Sequence, residues 1–132
     1  MLYRRYYSEL ARLIYAVAYI DGRITTEEKD ELKKIVKNEL LATDKHIDKF
    51  GTQAAYYTEI EFDILEETIA DPEEAFASFI SYLEEHASAI DEQMREVSLR
   101  VAKKIASAYR KTNSKENKLI SLLEERLKTL PA

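Results

Sequence analysis

Two acidic side chains flank one turn near the start of the chain, in an arrangement that suits a metal ion. Asp21 belongs to the dipeptide Asp21-Gly22, which is typical of a turn, and Glu28 lies at the predicted start of the next helix. A hard cation such as Ca²⁺ or Mg²⁺ needs several oxygen ligands, and carboxylates at a turn and at a helix start can converge on it. The structural alternative is that Asp21 shapes the turn while Glu28 forms a capping box with Thr25.

Other reactive groups are scarce, which argues against an enzyme. The 132 residues include no cysteine and only two glycines, so the sequence offers no thiolate nucleophile and no glycine-rich phosphate loop. The histidines, His46 and His86, form no His-Glu-x-x-His or Glu-x-x-His pattern, and we expect each at the surface or at an edge. We expect no catalytic residue, and no cofactor other than a divalent cation.

Tyrosine is unusually frequent, and four of the nine tyrosines lie at multiples of four residues along the first predicted helix. Tyrosine is enriched in protein interfaces because it combines a large apolar ring with a polar tip. These rings are therefore candidates for binding a protein partner or a second copy of the chain. The alternative is that they cover the edge of the core. The four are Tyr3, Tyr7, Tyr15 and Tyr19.

Nearly all apolar residues recur at helical spacing, and no segment alternates with period two. The first helix is expected to bury one apolar face that includes Leu13 and Val17. Thr25 heads one capping box, and Asp71, followed by Pro72, marks another helix start. A weaker helical pattern covers residues 43–57. The sequence thus predicts an all-α, compact, single-domain bundle over residues 1–132, with about six or seven helices.

A helix predicted over residues 59–69 carries many acids. Its inward face is expected to hold Ile60, Ile64, Leu65 and Ile69. It lies within residues 51–94, which contain 12 acids and no Lys or Arg, whereas residues 95–132 contain 10 bases and 4 acids. We expect the basic final third to supply the counter-charges of this acidic segment. The alternative is that the acids stay exposed for a cation or a basic partner.

The two ends of the chain share one apolar register. A shift of 88 residues places Val17 on Ile105 and Glu28 on Glu116. We interpret this as a duplicated helix-turn-helix unit, with copies at roughly residues 8–41 and 95–130. The alternative, that any two amphipathic hairpins can be aligned, is less favoured because the turn length is also preserved.

Residues 16–28, AVAYIDGRITTEE, resemble the signature of TerB-like domains, and residues 98–116 are similar to its second copy. This family includes the tellurite-resistance protein TerB and the N-terminal domain of DjlA-type co-chaperones. The resemblance implies a compact all-helical bacterial domain that acts as an accessory or scaffold in stress response and binds a metal cation at paired acidic positions. Tyr109 stands where the family often has its second Asp. The candidate ligands carried over are Asp21, Glu28 and Glu116.

The expected function is therefore a non-enzymatic TerB-like helical module that binds a protein partner and a divalent cation. The alternative is a small homo-oligomeric structural protein without a metal site. The net charge of −5 argues against a nucleic-acid partner. No apolar run reaches the roughly 20 residues that span a bilayer, so we expect no membrane insertion and a cytoplasmic location.

Overall fold

The computed structural model describes residues 2–20, 22, 24–43, 54–108 and 114–130. These residues form six α-helices and a single 3₁₀ turn at Ala87–Ala89, and no strand occurs among them, which confirms the all-α prediction. The helices are α1 (Leu2–Tyr19), α2 (Thr26–Thr43), α3 (Ala54–Glu67), α4 (Pro72–Glu85), α5 (Glu92–Ala108) and α6 (Ser114–Thr129). Residues 44–53, which carry most of the weak helical pattern, lie outside this description.

Local capping chemistry sets the helix starts. The Glu28 amide donates to the Thr25 hydroxyl at 3.1 Å, and the Thr25 amide donates to the Glu28 carboxylate at 2.8 Å, so the predicted capping box forms at the start of α2. The Asp71 carboxylate accepts from the Glu74 amide at 3.1 Å and caps α4, as predicted. Gly22 has φ +128° just after α1, a conformation that side chains disfavour.

The first helix forms the centre of the bundle. It packs against α3, α4 and α5, and α5 packs in turn against α2 and α6. Every residue from Leu13 to Ala18 is buried, so this part of α1 is enclosed on all sides and not on one face as periodicity suggests. A helix that is apolar all round belongs in the interior. The Tyr6 hydroxyl ties α1 to α5 through a buried 2.8 Å hydrogen bond to the Met94 carbonyl.

The predicted inward face of α3 is wrong in most of its members. Its core-facing residues are Thr58, Phe62 and Leu65, whereas Ile60 and Ile64 are exposed. The spacing of four and three residues from Thr58 to Leu65 keeps these side chains on one helical face. Apolar residues occur on both sides of α3, so the sequence pattern alone does not select between the two faces.

Helix boundaries agree with the shift of 88 residues. The starts of α2 and α6, Thr26 and Ser114, are separated by that interval. Val17 and its counterpart Ile105 are both fully buried. The helix contacts of the two units differ more, because α5 contacts α6 directly while the main contacts of α2 are with α5 and α3. Duplication of a helix-turn-helix unit stays a prediction.

Candidate functional site

Of the three predicted metal ligands, the structure describes the side chain of Glu28. Its carboxylate accepts the Thr25 amide in the capping box, which is the structural role considered above for this residue. Asp21 and the side chain of Glu116 lie outside the described residues. Within the described part of the chain, no three His, Cys, Asp or Glu side chains are grouped so that they could hold a metal ion. A cation site at these three acids therefore stays a prediction.

The predicted tyrosine surface belongs largely to the core. Tyr7 and Tyr15 are 5% and 3% exposed, so these two rings are not on a surface that a partner can reach. Tyr19 is half-buried and stacks on Tyr15 with ring centroids 4.6 Å apart. The side chain of Tyr3 lies outside the described residues. For Tyr7 and Tyr15 the structure supports the alternative of core packing.

Two of these tyrosines hold the carboxyl end of α3 against α1. The Tyr15 hydroxyl donates to the Ala70 carbonyl at 2.6 Å, and the Tyr19 hydroxyl donates to the Glu66 carboxylate. Lys29 of α2 reaches the same carboxylate at 2.8 Å, and this contact raises the pKa of the Lys29 ammonium. The α3 terminus is therefore fixed from two sides.

Three acids of α3 pair with bases from the first third of the chain, and not with the basic final third as expected. These pairs join α3 to α1 and α2. They are Arg12–Glu61 at 3.7 Å, Lys33–Asp63 at 2.9 Å and Lys29–Glu66 at 2.8 Å.

The final third uses its bases elsewhere. Arg100 and Lys104 of α5 both pair with Glu39 of α2, and Arg100 lies 2.8 Å from that carboxylate. Hydrogen bonds from Lys104 and Arg100 lower the pKa of Glu39. A pair between Glu84 and Arg126, at 3.0 Å, does join the acidic segment to the final third. The predicted pairing of the acidic segment with the final third is therefore wrong for these three acids of α3 and is confirmed for the contact between Glu84 and Arg126.

The sequence does not predict the polar cluster around the buried Glu9, because Glu9 and Ser78 are far apart in the chain. Glu9, on the enclosed helix α1, is buried and accepts from Ser78 of α4 at 2.9 Å and from Arg12 at 2.6 Å. A buried carboxylate needs such partners, since an isolated charge would be strongly disfavoured. The three-residue spacing of Glu9 and Arg12 is the sequence signal that indicates a contact between them. In the structure this contact is an ion pair that stabilises the buried carboxylate of Glu9.

The outer face of α3 carries an exposed row of apolar side chains. Tyr56, Ile60 and Ile64 are 57%, 40% and 47% exposed, and each is four residues from the next. Residues at this spacing lie above one another on a helix. We call this row the α3 stripe. Scattered exposed apolar residues are ordinary, but a contiguous row on one helix is typical of an interaction surface.

The chain beyond α3 adds another exposed isoleucine in an unfavourable backbone conformation. Ile69 is 68% exposed and has φ +51°. Its amide bonds to the Glu66 carbonyl at 3.2 Å, and the Ala70 amide bonds to the Leu65 carbonyl at 3.0 Å, which together form a Schellman motif. Glycine is the usual residue at this position, because a β-branched side chain is strained there. The solvent-exposed Ile69 side chain gains little burial to offset that strain.

A cavity of about 340 Å³ opens between α2 and α3, beside the amino end of the stripe. Buried apolar side chains, among them Leu32 and Phe62, line it, and Tyr56 borders it from the stripe. On its α2 wall lie Lys34 and Lys37, both exposed. Such a cavity can take an apolar side chain of a docked partner.

Comparisons with protein-family models, with curated proteins and with solved structures find no match to this chain. None of the described helices is long and apolar enough to cross a membrane. The candidate site consists of the α3 stripe, the adjoining cavity and the exposed Ile69.

Proposed function

We propose that this chain is a non-enzymatic TerB-like helical module that binds a protein partner through the outer face of α3. The observation that carries this proposal is the α3 stripe, in which Tyr56, Ile60 and Ile64 remain exposed although the chain buries a large apolar core. The signature in residues 16–28 supports the family and the accessory role in bacterial stress response that it implies.

Site-specific photo-crosslinking in cells that produce the chain tests this function. A photoreactive phenylalanine analogue at position 60 or position 64 is expected to capture the same protein. The matched control is position 122, because Leu122 is also an exposed apolar residue but lies on α6. The capture at position 64 should disappear in the Ile60→Asp variant. Equal capture from all three positions, or none from positions 60 and 64, would overturn the proposal.

Cation binding is the second part of the proposed function, with Asp21, Glu28 and Glu116 as ligands. The capping box and a cation are compatible at Glu28, since a carboxylate has two oxygens and several acceptor sites. Ligand binding to the folded state raises its stability by RT ln(1 + [L]/Kd). Titration calorimetry and thermal unfolding with Ca²⁺ or Mg²⁺ should therefore show binding to the wild type and not to Asp21→Ala.

Asp30→Ala is the matched control for this experiment, because Asp30 is an exposed acid of α2 outside the proposed ligand set. It should bind the cation as the wild type does. Absence of heat and of thermal stabilisation at millimolar cation would remove the cation from the proposed function. Protein binding through α3 would be unaffected by that result.

A further inference from the structure

We propose that the partner segment bound by the α3 stripe is a basic amphipathic helix. This inference rests on the proposed function and specifies the chemistry of the partner. It follows from the shape of the stripe, from the charges beside it, and from the unfavourable match between two copies of the same surface.

The shape of the stripe suits another helix. From Tyr56 to Ile64 the row rises about 12 Å, at 1.5 Å per residue, so it spans roughly two helical turns. Rows of side chains at four-residue spacing are the ridges that fit into the grooves of a neighbouring helix, most often at a crossing angle near 50°. An apolar row of this kind already packs helices together inside the bundle, and α3 presents one outward.

The charges that α3 itself places beside the stripe are negative, whereas Lys34 and Lys37 lie across the cavity on α2. Glu59 lies three residues after Tyr56, and Glu67 lies three residues after Ile64, so each acid borders the row. Both are exposed, and among the described residues neither takes part in an ion pair. The bases that reach α3 from α2, Lys29 and Lys33, are held by Glu66 and Asp63. A docked helix with basic flanks therefore complements this surface.

A second copy of the chain is a poorer occupant. A two-fold interface places the same patch opposite itself. Residues 51–94 contain no Lys or Arg, so two α3 stripes meeting in this way would bring together acids with no cation from either segment. Facing like charges are destabilising. A partner of opposite charge avoids this repulsion and associates faster, because the attraction acts before contact.

Ile69 is a further exposed apolar residue, two positions beyond the end of α3. A strained residue persists where the surrounding structure or a function requires it, and here the side chain is exposed. Contact with a docked helix would give this isoleucine the burial that it lacks in the free chain.

Fluorescence anisotropy with three labelled synthetic peptides tests the proposal on the full chain. The first is a basic amphipathic helix of leucine and lysine, with leucines at positions i, i+3, i+4 and i+7. The second has the same pattern with glutamate in place of lysine, and the third has the composition of the first in scrambled order. The basic amphipathic peptide should bind at least about tenfold more tightly than either of the others.

Variants locate the binding on α3. Ile60→Ser combined with Ile64→Ser should weaken binding of the basic peptide by about tenfold, and circular dichroism should show an unchanged fold, since both residues are exposed. Glu59→Gln with Glu67→Gln should weaken it by about threefold and reduce its salt dependence. Glu85→Gln with Glu92→Gln removes the same number of exposed charges from α4 and α5 and should change the affinity less.

Each other outcome overturns the inference in a defined way. Equal binding of the scrambled peptide would mean that charge alone attracts it. Tighter binding of the acidic peptide would assign recognition to Lys34 and Lys37 at the cavity. If sedimentation shows a dimer that Ile60→Ser and Ile64→Ser dissociate, the occupant of the stripe is a second copy of the chain. If the basic peptide does not bind but crosslinking from positions 60 and 64 captures the same protein, the proposed function stands while the basic helix is excluded.

Discussion

The hydroxyl of Tyr6 in α1 lies 2.6 Å from the hydroxyl of Ser98 in α5, and both groups are buried. The same Tyr6 hydroxyl donates to the Met94 carbonyl at 2.8 Å, so one side chain joins the central helix to a helix near the other end of the chain. Burial raises the pKa of the Tyr6 phenol far above its ordinary value of 10.0, because the phenolate would lose its hydration.

Replacing this hydroxyl is expected to weaken the bundle. Tyr6→Phe removes the hydrogen bonds but keeps the ring, and it should lower the free energy of unfolding by about 1–2 kcal/mol in urea titrations at neutral pH. Tyr56→Phe is the matched control, since Tyr56 is exposed and should tolerate the change. Equal stability of Tyr6→Phe and the wild type would show that the hydroxyl contributes nothing net.

Glu39 should make the free energy of unfolding decrease at acidic pH. Its pKa is lowered in the folded state by hydrogen bonds from Lys104 and Arg100, so its contribution is present above the ordinary pKa of 4.5 and is lost as the pH falls through the lower pKa of the folded state. Glu39→Gln should cost roughly 1 kcal/mol at pH 7 and nearly nothing at low pH. Urea titrations across that range measure this. Glu125→Gln, at an exposed position of α6, is the control and should leave the dependence of stability on pH unchanged. If stability depends on pH in the same way in Glu39→Gln and in the wild type, Glu39 is not the group responsible.

A substitution at Ile69 should change stability and peptide binding in opposite directions. Ile69→Gly relieves the positive φ and is expected to raise the free energy of unfolding by about 1 kcal/mol, while it weakens binding of the basic helix because an apolar contact is lost. Thermal unfolding and peptide anisotropy measure the two effects. Ile64→Ala, in an ordinary helical position, should weaken binding without raising stability. A less stable Ile69→Gly variant would mean that the isoleucine is needed by the fold.

The pairing of α2 with α3 can be tested by charge reversal. Lys33→Glu should destabilise the chain by up to about 1 kcal/mol, because it removes the partner of Asp63 and adds an acid beside α3. Combining it with Asp63→Lys should recover most of that loss, which a double-mutant cycle in urea measures. Additive effects of the two substitutions would show that the pair is not coupled.

Features that depend on interactions between neighbouring residues could be predicted from the sequence, and features that depend on packing between helices could not. The capping box at Thr25 and Glu28 and the Asp71 cap need only neighbouring residues, and both form as predicted. The orientation of α3 was predicted wrongly because Ile60 and Ile64 fit a buried face as well as Phe62 and Leu65 do. Which face is covered depends on α1 and its neighbours, information that the α3 segment does not contain.

The sequence does not predict the location of the candidate site. A basic partner for the acidic segment is one of the alternatives that the sequence leaves open, and it stays a prediction. The tyrosines predicted to bind a partner include Tyr7 and Tyr15, which are buried. Amphipathic rings at helical spacing serve a core edge and an interface equally well. The exposed row on α3 is visible only once the buried row is known.

The position of α1 at the centre of the bundle has a consequence for synthesis. The ribosome makes this helix before α3, α4 and α5, the three helices that enclose it. Its apolar surface from Leu13 to Ala18 is therefore not fully covered until the chain has been extended through α5. Contacts such as Tyr6 to Met94, separated by 88 residues, form late because they close long loops. A nascent chain that has not yet been extended through α5 thus exposes part of this apolar helix, and it is in this interval that a chaperone would act on it.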